Sequence, residues 1–298
     1  MNYSSVPLSY FSYDKNALAK LPPRPARSNK GDFGRVLCIC GSHGMAGAAY
    51  LCAKAAYRTG AGLVQIFTHE CNRAILQTSL PEAIVTAYTD EYKKDTLLCA
   101  IERADAVVIG CGLGITPTSR AILSDTLRVL DGRDIPLVID ADAINLLARN
   151  RSLLKYTKGA VITPHFGEAA RLLERPIAEL LPRTYETARE IAQRYGTVCV
   201  MKDHESAVSD GEARVYVNKS GNSGMATGGS GDVLAGILGG LLVQNAKAEI
   251  KLSKLEATAL GVYIHGLAGD AAAAHLGEYS VMATDILEAI PSVLRAVK

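Results

Sequence analysis

The 298-residue chain contains no tryptophan and only four phenylalanines, which leaves no aromatic platform for stacking bases. Its charge is almost balanced, with 32 lysines and arginines against 30 acidic residues and a net charge of +2. A nucleic-acid-binding domain normally carries a marked basic excess. Both features argue against nucleic acid as a partner. None of the seven cysteines falls in a Cys-x-x-Cys pair, so the expectation is structural thiols in a reducing cytoplasm. Cys38 and Cys40 alternate along an apparent strand and should share one packed face. The first thirty residues show no positively charged start followed by an apolar stretch, so no signal peptide is expected. No apolar run reaches the roughly 18 residues that a membrane span requires, and the segment 231–243 is too short. The expected location is the cytoplasm, without a membrane partner.

What the chain does have is glycine. Its 27 glycines concentrate at 31–47, 110–114, 221–231 and 236–240, between apolar runs, as where backbone is held close to a ligand. From Arg35 onward short apolar runs alternate with helical segments. Strands are expected at 36–40, 62–68, 105–109, 136–139, 160–163 and 198–202, with a hairpin of 207–209 and 215–217 around Asp210-Gly211. Helices are expected at 46–58, 119–130, from Asp140 through Leu146, after His165, from Ser230, at 254–275 and at 284–297. Buried strands alternating with helices are the signature of a mostly parallel α/β sheet covered on both faces. Ligands bind such sheets beyond the carboxyl ends of the strands, where His43, Gly112, Gly114, Asp140, His165 and Lys202 fall. With no internal repeat or interior linker, residues 1–298 are expected to form one domain, 1–30 being an arm or short helix leading into it.

The strongest chemical signal is NKSGNSGMATGGSGDVLAGI at 218–237. Successive glycines before an apolar helix let backbone N–H groups converge on an anion, and the helix N-terminus adds partial positive charge. Asp232 in the first turn is placed to accept a proton from a hydroxyl attacking a phosphoryl group. This is no Walker loop, because no Gly-Lys-Ser/Thr follows.

Gly-Ser-Gly-Asp opening a late helix resembles the anion hole and catalytic aspartate of the ribokinase-like superfamily. More specifically, GNSGMATGGSGDVLAGI is similar to the signature of the ADP/ATP-dependent NAD(P)H-hydrate dehydratases. The same family is matched by KGDFGRVLCICGSHGMAGAAYLCAKAAYRTGAGLV at 30–64, VVIGCGLG at 107–114 and PLVIDADAINLLA at 136–148. TPHFGEAARLL at 163–173 and GVYIHGLAGD at 261–270 match it too.

The resemblance implies a ribokinase-like three-layer αβα sandwich and a repair reaction. Nucleotide phosphorylates the hydroxyl of hydrated NADH or NADPH in its S-form, and phosphate leaves to restore the double bond. ADP is favoured over ATP as donor, with Mg²⁺ bridging phosphates. Asp232 would be the base, and the backbone of Gly228, Gly229, Ser230 and Gly231 the anion hole. Ala48, Gly114 and His165, with Asp232, match positions that contact the hydrated dinucleotide. Lys202, Asp203, His204, Glu205 and Ser206 fall where the nucleotide binds, assisted by Gly231. Glu168 resembles the acid that organises metal-bound water in ribokinase relatives. The family also implies a tetramer and a separate epimerase as functional partner, since no epimerase domain is expected within these residues.

Plainer readings stay open at the residue level. His165 could be a satisfied loop histidine, Lys202 a surface cation, and Asp140 and Asp142 helix N-caps. Ala48 could serve only helix packing, and Gly110-x-Gly112-x-Gly114 is no Rossmann fingerprint. Three other functions compete: a vitamin-precursor kinase on the same fold, a non-catalytic nucleotide-binding protein, and an NAD-dependent oxidoreductase, for which 41–47 is a poor dinucleotide fingerprint.

Overall fold

The computed structural model describes residues 7–295. Ten strands form one sheet: β1 (Ser9–Phe11), β2 (Arg35–Ile39), β3 (Leu63–His69), β4 (Ile84–Tyr88), β5 (Ala106–Ile109), β6 (Leu137–Ile139), β7 (Val161–Ile162), β8 (Val198–Met201), β9 (Ala207–Ser209) and β10 (Arg214–Val217). Their spatial order is β1-β10-β9-β8-β7-β6-β5-β2-β3-β4. Only β9 runs against its neighbours; every other pairing is parallel.

The strand sequences explain the layering. Side chains alternate across a sheet, so Val36, Cys38, Val108 and Val138 enter one core while Leu37, Ile39, Val107, Ile109 and Ile139 enter the other. The first core is closed by helices Ala46–Arg58, Ser230–Lys247, Lys254–Leu276 and Ala283–Leu294. The second is closed by Lys94–Ile101, Pro117–Leu130, Ala141–Arg149, Phe166–Leu173 and Thr184–Tyr195. This is the αβα sandwich that the motif pattern implies. Cys38 and Cys40 do share one core, with Cys52 and Cys111 beside them. Five of the seven cysteines are buried, and Cys71 and Cys99 are exposed.

The expected segments 36–40, 62–68, 105–109 and 46–58 appear within a residue or so, and the hairpin forms as β9 and β10. The last expected helix ends at Leu294, and its expected extension to residues 296 and 297 lies outside the described residues. The leading arm is more than an arm: Ser9–Phe11 adds a strand alongside β10, and a short 3₁₀ helix Lys15–Lys20 follows. Strand β4 at the opposite edge was also not expected. Its exposure alternates unevenly along Ile84–Tyr88, as on an edge that packs on one side only.

Candidate active site

The parallel strands deliver their last residues to one end of the sheet. Asp140 follows β6, Thr163 follows β7, Lys202 follows β8, and Cys111 lies just past β5. The helix Ser230–Lys247 begins over the same end and brings Asp232 in its first turn. Asp140 is almost wholly buried. Its Oδ1 accepts hydrogen bonds from the Lys202 ammonium, at 2.8 Å, and from the Thr163 hydroxyl. Its side chain makes no helix-capping bond, so the N-cap reading of Asp140 fails and it is instead the fixed counter-charge of Lys202. The Cys111 thiol points at Asp140 Oδ2 from 3.9 Å. Single ligand atoms of Cys111, Asp140 and Asp232 lie within 4.8 Å of one another.

The strand end that carries Asp140 is held under strain. Gly110 has φ +128°, and a Cβ there would lie 1.9 Å from the Asp140 carbonyl oxygen. Ala141, the next residue after Asp140, has φ +48°. A left-handed non-glycine residue costs about 1–2 kcal/mol. Such outliers persist where surrounding packing over-determines them, as around functional groups.

Charges set the site's chemistry. Burial, then the neighbouring Asp140, pushes the Asp232 carboxyl up from 3.8 to about 7, against smaller opposing effects of Cys111 and Lys202. Glu168 rises to about 7 for the same leading reason, burial. Burial alone would depress the Lys202 ammonium, but Asp140 and Glu168 outweigh it and hold it above the ordinary lysine range. One cation therefore serves several facing carboxyl groups. The Cys111 thiol is pushed well above its usual range and stays protonated.

The glycine stretch 228–231 leads directly into the helix Ser230–Lys247. Gly229 has φ +92°, a region L side chains seldom adopt. A Cβ on Gly229 would meet Leu51 Cδ1 at 2.5 Å, while Gly228 has open space around it. At Gly231 a Cβ would sit 3.6 Å from Lys202 Nζ, which brings the lysine beside the loop. Ser230 is buried, its hydroxyl 3.3 Å from His265 Nε2. Burial pushes His265 down to about 4, so it is neutral and props the loop from the apolar side without adding charge. Gly229→Ala should lower turnover about tenfold or more by shifting the loop, with a smaller loss of thermal stability of about 1–2 kcal/mol. Steady-state rates and thermal unfolding check it; unchanged kinetics would separate the Gly229 conformation from catalysis.

His165 caps the helix Phe166–Leu173. Its Nδ1 accepts the Gly167 N–H at 2.9 Å, and Glu168 Oε2 accepts the His165 N–H at 2.9 Å. Burial, with Lys202 nearby, lowers the His165 imidazole, leaving it neutral. Its Nε2 is 3.4 Å from Glu168 Oε1, and its side chain is about half exposed. Glu168 thus has a structural bond of its own and also faces Lys202 Nζ, at 3.8 Å. Ala48 and Gly114 lie across the same end. Gly112 packs under Ala48, Gly114 approaches Ser42, and Asp142 Oδ2 accepts the Gly114 N–H at 2.8 Å. Asp142 therefore braces the 110–114 turn.

The Lys202–Ser206 stretch divides. Lys202 turns inward, whereas the polar residues after it are tied to one another and to the helix Thr184–Tyr195. Asp203 Oδ2 accepts from the Thr184 hydroxyl, and its Oδ1 accepts from the His204 N–H. Glu205 accepts from Tyr185 and pairs with Lys219. Ser206 donates to the Asp203 carbonyl. Only exposed His204 keeps its ring largely in solvent.

Asp140 was expected at this end of the sheet, as a carboxylate stopping a short apolar strand, but without a partner or role. Thr163, Cys111 and His265 lie inside the stretches 163–173, 107–114 and 261–270 that carry the family resemblance, yet none of the three was singled out. His265 had no signal beyond that motif, standing alone inside an apolar helix.

Comparisons with known proteins place the chain in a family. The family model described as NAD(P)H-hydrate dehydratase matches residues 36–292. The bifunctional NAD(P)H-hydrate repair enzyme Nnr of Escherichia coli K12 is 40% identical over 274 residues, 92% of this chain and 50% of that protein. The chain spans about half the length of several such relatives. The ADP-dependent (S)-NAD(P)H-hydrate dehydratase of Neisseria meningitidis serogroup B is 38% identical over 253 residues, 83% of this chain and 80% of that protein. Among solved structures, a ribokinase-like superfamily protein of Enterococcus faecalis V583 aligns with a TM-score of 0.84 at 33% identity, covering 96% of this chain and 95% of that one. The ADP/ATP-dependent NAD(P)H-hydrate dehydratase of Bacillus subtilis, co-crystallised with ATP/Mg²⁺, aligns with a TM-score of 0.78 at 27% identity, covering 98% of each. The fold is ribokinase-like, and the chain belongs to the NAD(P)H-hydrate dehydratase family.

Proposed function

We propose that this chain dehydrates the S-form of hydrated NADH and NADPH at the expense of a nucleotide, with ADP preferred over ATP. The observation that carries the reading is the placement of Asp232, a carboxyl near neutrality in its titration, in the first turn of a helix that opens on Gly228–Gly231. A base that titrates near the working pH combines adequate ionisation with proton affinity. Ionised Asp232 takes the proton of the ring hydroxyl as that oxygen forms its bond to the terminal phosphorus. The bond from phosphorus to the nucleotide's bridging oxygen breaks, and the nucleotide departs one phosphoryl group shorter. Phosphate, a far better leaving group than hydroxide, then takes the C–O electron pair while loss of a ring proton restores the double bond. The backbone N–H groups of Gly228, Gly229, Ser230 and Gly231 hold the transferred group's charge.

Mg²⁺ fits the donor set: the carboxylates of Asp140 and Asp232 face each other as like charges, and Mg²⁺ takes one or two carboxylates together with phosphate oxygens and water. It would neutralise phosphate charge. Lys202 and the carboxyl of Glu168 border that place. Ala48, Gly114 and His165 are proposed to contact the hydrated dinucleotide, and Lys202–Ser206 with Gly231 the nucleotide. The tied-down Asp203 and Glu205 leave main-chain groups and His204 as the contacts on offer there. A separate epimerase, supplying the reactive epimer, is the proposed functional partner, and the working form is proposed to be a tetramer in the cytoplasm.

The test is the near-ultraviolet absorbance of reduced nicotinamide, followed with purified protein, hydrated NADH of proven S-content, Mg²⁺ and either nucleotide. A nucleotide-dependent rise, faster with ADP, is expected. No rise with either nucleotide would turn the assignment toward a small-molecule kinase. His165→Ala should weaken the hydrated dinucleotide about tenfold, as loss of a hydrogen bond or two does, with a much smaller effect on ADP. Equal losses in calorimetric titrations of the two ligands would move His165 out of the dinucleotide site.

A further inference from the structure

A second cluster of side chains lies beyond the ends of β3 and β4, apart from the anion loop. His69, the last residue of β3, is only 9% exposed. Its Nδ1 is 3.1 Å from Cys71 Sγ and accepts the Cys71 N–H at 3.3 Å. Its Nε2 is buried without a hydrogen bond, and faces Asp90 Oδ1 at 3.4 Å in a contact that fails as one. His43, on the turn before the helix Ala46–Arg58, lies against His69 with ring centroids 3.9 Å apart. Its Nε2 is 3.8 Å from the same Asp90 oxygen. Single ligand atoms of His43, His69 and Cys71 lie within 4.8 Å of one another.

A buried ring nitrogen without a partner costs about 1–3 kcal/mol. His69 also meets Tyr88 edge-on, with ring centroids 5.5 Å apart, while His43 and Cys71 lie exposed beside it. We propose that His43, His69 and Cys71 form a binding site for a borderline-soft divalent cation of the zinc class, with Asp90 as the carboxylate that orients the two imidazoles. Imidazole and thiolate donors select Zn²⁺, Co²⁺ or Ni²⁺ over Mg²⁺. Tetrahedral ligands at about 2.0–2.3 Å from such an ion stand about 3.3–3.8 Å apart, close to the spacing between His69 Nδ1 and Cys71 Sγ. Cation on Nδ1 replaces the long 3.3 Å bond from the Cys71 N–H and leaves the ring proton on Nε2, which gives that orphaned atom a donor role toward Asp90, the common outer-shell partner of a metal-bound histidine. Cys71 is exposed, and a cation that binds it displaces the thiol proton. The side chains of His43 and Asp90 are 68% and 91% exposed, so both can rotate into place without disturbing the core. His43 shares its turn with Ser42, which neighbours Gly114; a bound ion would fix the approach to the proposed dinucleotide site.

The experiment is titration of the reduced, chelator-stripped full chain with Co²⁺ in excess Mg²⁺, read by calorimetry and by absorption. One ion per chain is expected, with a thiolate-to-cobalt charge-transfer band. His43→Ala and Cys71→Ser should each weaken binding at least tenfold, and Cys71→Ser should abolish the band; Asp90→Asn should weaken it about 10- to 100-fold. Both first substitutions are at exposed positions, and circular dichroism verifies their folding. No stoichiometric binding by the wild-type chain overturns the proposal. So does wild-type affinity in either His43→Ala or Cys71→Ser, which would place the ion elsewhere, for instance among Cys40, Cys52 and Cys111.

Discussion

Asp232→Asn is expected to be at once the least active and one of the more stable variants of this protein. The activity loss follows from removing the proposed base, a contribution of about 10²–10⁴-fold to such a step. The stability gain follows from the carboxyl's displacement from 3.8 to about 7 by burial and by Asp140. A group whose folded value lies above its unfolded one binds more protons when folded. Its stabilising contribution is complete below about 4 and disappears as the pH rises through about 7. Above that the folded chain carries an ill-solvated charge, which a neutral amide of the same shape removes. The gain should reach about 2–4 kcal/mol at alkaline pH and vanish in acid. Urea unfolding at several pH values, beside steady-state rates, reads both halves. An inactive variant with no alkaline gain would mean the carboxyl is well solvated. For the wild type, kcat/KM should climb with pH through about 7 as Asp232 ionises, and Asp140→Asn should move that limb toward acid by removing a like charge.

Lys202→Met is the second large effect, and its signature is a loss of stability that grows with pH. Lys202 is the cation shared by Asp140, at 2.8 Å, and Glu168, at 3.8 Å. Removing one partner of a buried pair costs about 3–5 kcal/mol because the other charge stays behind. Here Glu168 and Asp232, both already near 7 and both held down in part by Lys202, can take protons instead, so the deficit should be greatest near pH 8 and shrink toward about pH 5. A constant deficit across that range would mean that Lys202 stabilises through its methylene stem and not its charge. Turnover should also fall sharply, since the ammonium stands beside Gly231 where phosphoryl charge is to be held.

Much of this was legible in the residues, and the gaps have physical reasons. Strands buried on both faces announce themselves as short apolar runs ended by a polar residue, as in Leu137–Ile139 before Asp140. Edge strands do not: Ser9–Phe11 is three residues long and mostly exposed, and it exists only because β10 offers it a partner. The amphipathic helix Thr184–Tyr195 was passed over for a different reason, since its apolar residues are sparse and mostly small. In the site, the anion loop and Asp232 were readable because glycine order and helix start coincide in one stretch. The bond from Lys202 to Asp140 joins residues 62 apart in sequence and was hidden until parallel strands set their ends side by side. Short-range rules left a capping role for Asp140 open beside its place at the strand ends, and the long-range bond to Lys202 decides between them.

The helix that carries Asp232 touches its neighbour almost backbone to backbone. A Cβ on Gly236 would lie 2.1 Å from the Cys52 carbonyl oxygen, and one on Gly240 would lie 2.7 Å from that of Ala56. Helices Ser230–Lys247 and Ala46–Arg58 are therefore locked without long side chains between them that could slide. The pair therefore gives Asp232 a rigid support, and any movement at this end of the sheet has to come from the loops that end at these helices, those around 41–45 and 218–229. In amide hydrogen exchange this divides the motif at Gly229: amides from 233 to 243 should open only with global unfolding, and those before it on a far shorter timescale.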